Sequence, residues 1–414
     1  MSTNSANLIV NNQVATTAYV QTDGAMILGR HSTKRISPNN GIQSLAFGSQ
    51  YTAYKIERGA PDQWLGDARL YIQISAITGG TSSTYAYLVD AGGVYQFDWF
   101  RLFSNTQEVA VISSDQAFQN MYKYVNSDIW NRLAEDIGYN TSTTARQALA
   151  QAPQSFSIPL KYLFNHFAKP IDISTYGDLE LRCYFKNNIN YCVQSNGTTA
   201  PSFTFLNSWL DIQYVSAPSN IVKYSRDMLL SGKAPQHYDI NYIVQNFTLS
   251  SGNTQYVLDM SSILYMQNVI DISILVRLAS NINTNYTSDY TDNNQPIYSF
   301  NIKSSDVYIN NLQQDMIVAQ DYQRLILPRM HLPGIEQIIN MTNPSVMMSF
   351  ASDDEQTNVE KGGWKYRGSL IFDQYKNTQI TLNFSSALTA TNIATVLVRT
   401  ARLCENKNGQ LYVF

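Results

Sequence analysis

"SFSIPLKYLFNHFAKPIDISTYGDLELRCYF" (residues 155–185) opens as a strand, takes a proline just inside it, passes a lone histidine and resumes as a clean β pattern. Pro159 removes a ladder donor, so "FSIPLKYLF" belongs at a sheet edge or a strand end. His166 and Pro170 mark the turn that leaves it. No nucleophile, acid pair or second histidine accompanies His166, so the stretch is architecture and not a catalytic loop.

The pattern extends outward on both sides. In "ARLYIQISAI", Leu70, Ile72, Ile74 and Ala76 alternate with Arg69, Tyr71, Gln73 and Ser75, which puts one face in a core and one outside. "TYAYLVDAGGVYQFDWFRLFSNTQEVAVI" adds strands, with a turn expected at Gly92 and Gly93, where glycine can take positive φ. One helix interrupts the series, over about 114–137: Phe118, Met121, Tyr122, Val125, Ile129, Leu133 and Ile137 recur at spacings of three and four. Ser113 with Gln116 forms a capping box at its start and Gly138 closes it. Trp130 and Tyr139 read as packing residues.

Residues 1–40 are polar, small and Asn-rich, an arm rather than a domain. "SAPSNIVKYSRDMLLSGKAPQHYD" has two prolines and mixed polarity and supplies a linker over 217–236. A second β series follows, from "INYIVQNFTL" to "TVLVRTARL". The chain therefore reads as two runs of about eight short strands, over 41–216 and 237–414, expected as two all-β sandwiches or barrels in tandem. The halves end alike: "DLELRCYF" then "SWLDIQYVSA" echoes "TQITLNFS" then "TVLVRTARL".

Composition supports this. Of 414 residues 44% are hydrophobic and only 14% charged, against roughly 25% charged in ordinary soluble domains. The 28 Tyr and 17 Phe suit pleated, half-buried surfaces. A net charge of −3, with no basic cluster beyond "GRHSTKR" (29–35), argues against direct nucleic-acid binding. No signal peptide or membrane-spanning run is expected, which implies synthesis in a cytoplasm.

The search for chemistry finds little. Cys183, Cys192 and Cys404 have no CxxC spacing and read as buried thiols, and His31, His166, His237 and His331 each stand alone. No GxSxG elbow or phosphate loop occurs. Asp62 and Asp67 near Trp64 are the only glycosidase-like pair, "DDE" (353–355) reads as a solvated tip, and the sequons Asn140, Asn196, Asn246, Asn285, Asn340 and Asn383 carry no weight without a secretory signal. No enzyme, cofactor or metal is expected. Tyr286, Tyr290 and Tyr298 lie in a long polar stretch, an exposed loop for contact with a neighbouring subunit or a receptor.

The order "VYQFDWFRLFSNTQEV", a helix containing "DIWNRL", then the opening stretch resembles the first jelly roll of the double jelly-roll major capsid proteins of adenoviruses, tectiviruses, virophages and large eukaryotic DNA viruses. Ile129 and Trp130, then Ile158, Pro159 and Leu160, then Tyr176, Leu179 and Leu181 occupy matching places, and "VLVRTARLCENKNGQLYVF" is similar to the family's C-terminal strand and tail. The family's aromatic run after the proline reads "KYLF" here. The resemblance implies two tandem eight-stranded antiparallel jelly rolls with one helix inserted in the first. It also implies a non-catalytic major capsid protein whose homotrimers tile an icosahedral virion shell as pseudo-hexagonal capsomers. Its partners would be neighbouring capsomers, minor capsid and penton proteins, and an internal viral membrane or inner layer that Arg30, Lys34 and Arg35 of the arm would face. The competing readings are a receptor- or glycan-binding β-sandwich and, through Asp62 and Asp67, a polysaccharide hydrolase.

Overall fold

The structure is a computed structural model and describes residues 21–22, 25–26, 31–39, 47–48, 50–57, 60, 62–81, 84–123, 125–164, 167, 172, 177–195, 199–231, 237–281, 297–305, 307–309, 317–318, 346–350, 369–372, 376–407 and 410–413. Among the described residues, eight strands build the two four-stranded sheets of the first half, beside a few two-residue strands: β1 (His31–Ile36), β2 (Tyr51–Ile56), β3 (Gln63–Ile74), β4 (Phe97–Ser104), β5 (Gln107–Ser113), β6 (Gln154–Pro159), β7 (Leu179–Phe185) and β8 (Phe205–Ser216). They pair in nested fashion, β1 with β8, β2 with β7, β3 with β6 and β4 with β5, all antiparallel. A long hairpin wrapped on itself gives this result: two facing four-stranded sheets in the orders β6-β3-β8-β1 and β5-β4-β7-β2. That is a jelly roll.

The second half repeats it. Here β9 (His237–Leu249), β10 (Gln255–Asp259), β11 (Asn268–Leu278), β12 (Ile297–Ser304), β13 (Val307–Tyr308), β14 (Val346–Ser349), β15 (Thr378–Phe384) and β16 (Asn392–Lys407) pair 9 with 16, 10 with 15, 11 with 14 and 12 with 13. Each strand βn thus has its counterpart in β(n+8). A terminal β17 (Gln410–Val413) adds to β16, while Leu370–Ile371 and Ile317–Val318 add to β11 and β12. The two echoing stretches in the sequence are β7–β8 and β15–β16, equivalent strands of the two rolls.

Alternation explains most of these strands. Leu70, Ile72 and Ile74 of β3 are buried while Arg69, Tyr71 and Gln73 are half-exposed. β11 departs from it: all residues from Val269 to Arg277 are buried, so both its faces are covered. Pro159 ends β6, an edge strand, as its missing N–H requires.

Four expectations need correction. The single helix over 114–137 is two, α1 (Ser114–Lys123) and α2 (Ser127–Ile137). The apolar stripe runs on across the break, but the Asn126 side chain accepts from the Ile129 amide at 2.9 Å and starts a new helix. The capping box of α1 is present, with Ser113 and Gln116 exchanging bonds of 3.1 and 3.2 Å. A third helix, α3 (Thr143–Leu149), precedes β6, and the linker contains α4 (Ser219–Leu230), whose Ile221 buries against Trp64. Residues 31–36, expected in the arm, are β1, because β8 offers them a free ladder.

Gly92 and Gly93 do not make a positive-φ turn but start a short helical segment, Gly92–Tyr95. They are small because neighbours press on them: a Cβ on Gly93 would lie 2.7 Å from the Ile137 carbonyl oxygen. Around this segment Phe118 packs with Tyr95, Tyr122, Trp130 and Tyr139, ring centroids 5.7 to 6.0 Å away, so Trp130 and Tyr139 are packing residues. One continuous cluster of buried apolar residues runs through both rolls.

Gly138 closes α2 at φ 72°, and a Cβ there would come 2.5 Å from the Phe156 ring. Gly138→Ala is expected to cost about 1–3 kcal/mol in urea unfolding, from the left-handed backbone and the displaced ring together. An unchanged midpoint would show that the ring moves aside freely.

Candidate functional site: the joint between the rolls and the outer sheet faces

All ten residues of α1 are buried, although Asp115, Gln116, Gln119, Asn120 and Lys123 are polar. Such groups are tolerated inside only when bonded. For Asp115, Gln116, Asn120 and Lys123, partners come at least in part from the second roll. α1 lies on the outer face of the β9-β16-β11-β14 sheet, which carries Tyr242 and Val244 of β9, Leu397 and Arg399 of β16, and Asp271, Ser273 and Arg277 of β11.

Asp115 takes a two-pronged bond from Arg277, at 2.5 and 3.0 Å, with both side chains 3% exposed. Lys123 donates to Ser273 Oγ at 2.8 Å, and Asn120 donates to the Tyr242 hydroxyl at 2.8 Å and to the Tyr162 carbonyl at 3.2 Å. Arg399 pairs with Asp271 directly across the β11–β16 ladder. At the margin Arg402 joins Asp239 at 2.9 Å and also donates to the Val109 carbonyl of β5. There β5 runs against β9.

Three aspartates and three arginines therefore balance, and a protonated Lys123 would leave one uncompensated positive charge. Burial, partly offset by Asp271 and reinforced by the like charge of Arg399, pulls the Lys123 ammonium down to about 7. A cavity of about 20 Å³ between Lys123, Asp271, Arg399 and Tyr242 has room for one water.

None of these residues stands out by motif. The available signal was charge inside apolar strand runs: Asp271 and Arg277 within "NVIDISILVRLAS", and Arg399 within "TVLVRTARL". A charge in a strand buried on both faces needs a partner, but the sequence does not say which.

The corresponding outer face of the first roll, on β6-β3-β8-β1, is half-exposed. Tyr71 and Trp209 stack at 5.1 Å with rings 10° apart, and the Arg35 guanidinium lies 4.5 Å over the Trp209 ring. Arg35 grips Asp211 with bonds of 2.9 and 3.1 Å and holds its carboxyl below the ordinary range. Lys34 pairs with Glu57 at 2.6 Å. Both cations of β1 are thus matched by carboxylates, which lowers the positive charge they offer to an anionic surface.

Other sequence-derived candidates fall apart in space or lie elsewhere. Asp62 is exposed in a turn before β3, while Asp67 projects from β3 with Lys161 at 3.7 Å. Tyr298 opens β12 at 55% exposure, whereas Arg30, Tyr286, Tyr290, Tyr176, His166, His331 and residues 353–355 lie outside the described residues. Cys183 and Cys192 are buried free thiols, and desolvation pushes Cys192 up to about 12.

Asp115→Ala should destabilise the protein by about 3–5 kcal/mol, because Arg277 keeps its charge without its partner. Asp115→Leu with Arg277→Met should recover most of that loss in urea unfolding. The sign for Lys123 follows from its lowered value. Between about 7 and 10.5 the unfolded chain holds a proton that the folded chain lacks, so this group makes stability rise with pH across that window. Below it the full cost remains. Lys123→Met should therefore flatten the wild-type rise, and equal pH slopes in the two proteins would refute the assignment.

No protein-family model and no curated protein sequence matches the chain. Solved structures do. The chain is similar to the Faustovirus major capsid protein, with a TM-score of 0.69, 8% identity and 94% of this chain covering 92% of that one. It is similar to the quasi-atomic model of the PBCV-1 virus capsid, at TM-score 0.65, 12% identity and coverage of 95% and 98%. The Sputnik virophage structure gives 0.58, 9%, and 95% and 90%. Identity this low speaks to fold alone, and the likeness extends over nearly the whole of each chain. Together with the nested pairing repeated in both halves, it establishes that the chain has the double jelly-roll fold of viral major capsid proteins.

Proposed function

We propose that this chain is a major capsid protein that self-assembles as a homotrimer, three copies presenting six jelly rolls as one pseudo-hexagonal capsomer of an icosahedral shell. The observation that carries this reading is the joining of two topologically equivalent rolls through a charge-balanced, fully buried joint. Two like blocks locked at one angle make a rigid third of a six-block ring, and closed rings are the ordinary outcome of repeated head-to-tail contacts. The likeness to capsid structures over both whole chains supports the same reading.

On this proposal residues 41–216 and 237–414 are the two roll domains, with β1 added to the first from the expected arm, and 217–236 connects them. The role is structural and the place of action is the virion shell. Its partners are other capsomers, minor capsid and penton proteins, and a membrane or inner layer beneath the remaining arm. The segment of Tyr286 and Tyr290, together with the exposed Tyr298 of β12, serves contact with a neighbour or a receptor. Trimer contacts of this class bury on the order of 2,000 to 5,000 Å², and an aromatic-rich, charge-poor chain suits them.

Light scattering on the purified protein should give three times the chain mass of 46.7 kDa. Negative-stain micrographs should show particles of hexagonal outline. A monomer persisting at micromolar concentration would refute the capsomer reading.

A further inference from the structure

Arg146 stands apart from the other buried and half-buried arginines. Among the described residues Arg69, Arg101, Arg182, Arg277, Arg399 and Arg402 each hold a carboxylate. Arg146, half-buried on α3, holds none. Its Nη1 donates to the Leu88 carbonyl at 3.2 Å, and its guanidinium lies 5.1 Å over the Tyr87 ring, so the side chain is fixed in place. Its Nε is buried and has no partner, and neither has the buried amide nitrogen of Gln154 at the start of β6. A buried donor left unmatched is destabilising, and native proteins seldom keep one without a use for it.

Both residues line one cleft of about 480 Å³, bounded by the end of α2, by α3, by the start of β6 and by Leu88 and Val89. Small-molecule pockets span roughly 300–1,000 Å³ and are apolar chambers with a few converging polar groups. This cleft has that form. Leu88, Val89 and Phe156 are buried in its walls, and Leu149, large and apolar, is 54% exposed at its rim. Glu135 also lines the cleft but is exposed and makes no ion pair with Arg146. We infer that the cleft binds a small monocarboxylic acid with an apolar body, the carboxylate held by Arg146 and Gln154 and the body lying against Leu88, Phe156 and Leu149. The site is built by one roll of one chain, so the inference does not rest on the capsomer reading.

The geometry of the guanidinium selects the ligand. Nε and Nη2 form the edge that takes a carboxylate two-pronged, and Nη1, on the other side, is the atom engaged by Leu88. Arg35 uses the same two nitrogens on Asp211, with bonds of 2.9 and 3.1 Å. A phosphate or sulfate would fit that edge but would gain nothing from the apolar walls, and it would bring further charge to a cleft that no second cation lines among the described residues. A neutral ligand would leave the charge of Arg146 unmatched. An acid with a hydrocarbon body answers both the charge and the walls.

The test uses the full chain in the assembly it forms. Titration calorimetry with hydrocinnamate should show saturable binding with a dissociation constant of about 1 mM or below. Hydrocinnamyl alcohol, the same body without the charge, should bind at least about 10-fold more weakly, and phenylpropylamine should not bind. Arg146→Met should raise the dissociation constant of the acid about 10-fold or more, with Arg146→Lys, which keeps the charge and loses the fork, in between. Leu149→Asp changes only the exposed rim, should match wild type in far-ultraviolet circular dichroism, and should weaken the acid by placing a like charge at the mouth. A chain that takes up no hydrocinnamate at millimolar concentration, or that binds acid and alcohol alike, overturns the site. So does binding of the acid that is unmoved by both Arg146→Met and Leu149→Asp, and each of these results leaves the capsomer reading intact.

Discussion

The pairing of Asp115 with Arg277, inside the joint between helix and sheet, is the contact on which the arrangement of this protein turns. Two jelly rolls on one chain have no intrinsic reason to hold a fixed angle. Greasy faces alone would let them slide, since apolar contact is non-directional. A forked guanidinium bond, an ammonium on a serine hydroxyl and an amide on a tyrosine hydroxyl each have one geometry, and all lie between α1 and the β9-β16-β11-β14 sheet.

Burial of this kind is costly. Removing several ions from water is repaid only when every member finds its partner, so such a joint contributes less stability than an apolar one of equal size. What it contributes here is register. α1 is held by bonds that a shift of one residue would break, and its burial extends the core of the first roll into the second without interruption. Lys123 marks the limit of the balance: with six charges already cancelling, burial lowers its hold on its proton to about 7.

The equivalence of the rolls gives the joint its wider meaning. Eight strands pair in the same nested order twice, yet the two outer faces end in different conditions, one sealed by a helix from within the chain and one left with a stacked Tyr71 and Trp209 half in water. The asymmetry arises because a single chain has a first and a last roll.

The strand series, the division into halves and the ends of the inserted helical region were legible along the chain. Alternation of Leu70, Ile72 and Ile74, spacing along Phe118, Met121 and Tyr122, and the Ser113 and Gln116 box are local properties that physics reads at close range. The break at Asn126 was not legible, because the apolar stripe continues through Val125 and Ile129 on both sides of it. Nor was α4, whose flanking prolines spoke for a linker while Ile221 found its partner, Trp64, far away in sequence. Gly92 and Gly93 looked like a turn but are required by the closeness of Leu88, Ile137 and Phe156. The sequence by itself determined that this would be a pair of antiparallel β modules with little free charge. Tertiary structure alone decided which carboxylate meets which arginine and which face stays open. Those partners lie 128 to 163 residues apart in Asp271–Arg399, Asp115–Arg277 and Asp239–Arg402, and no local rule carries information over such distances.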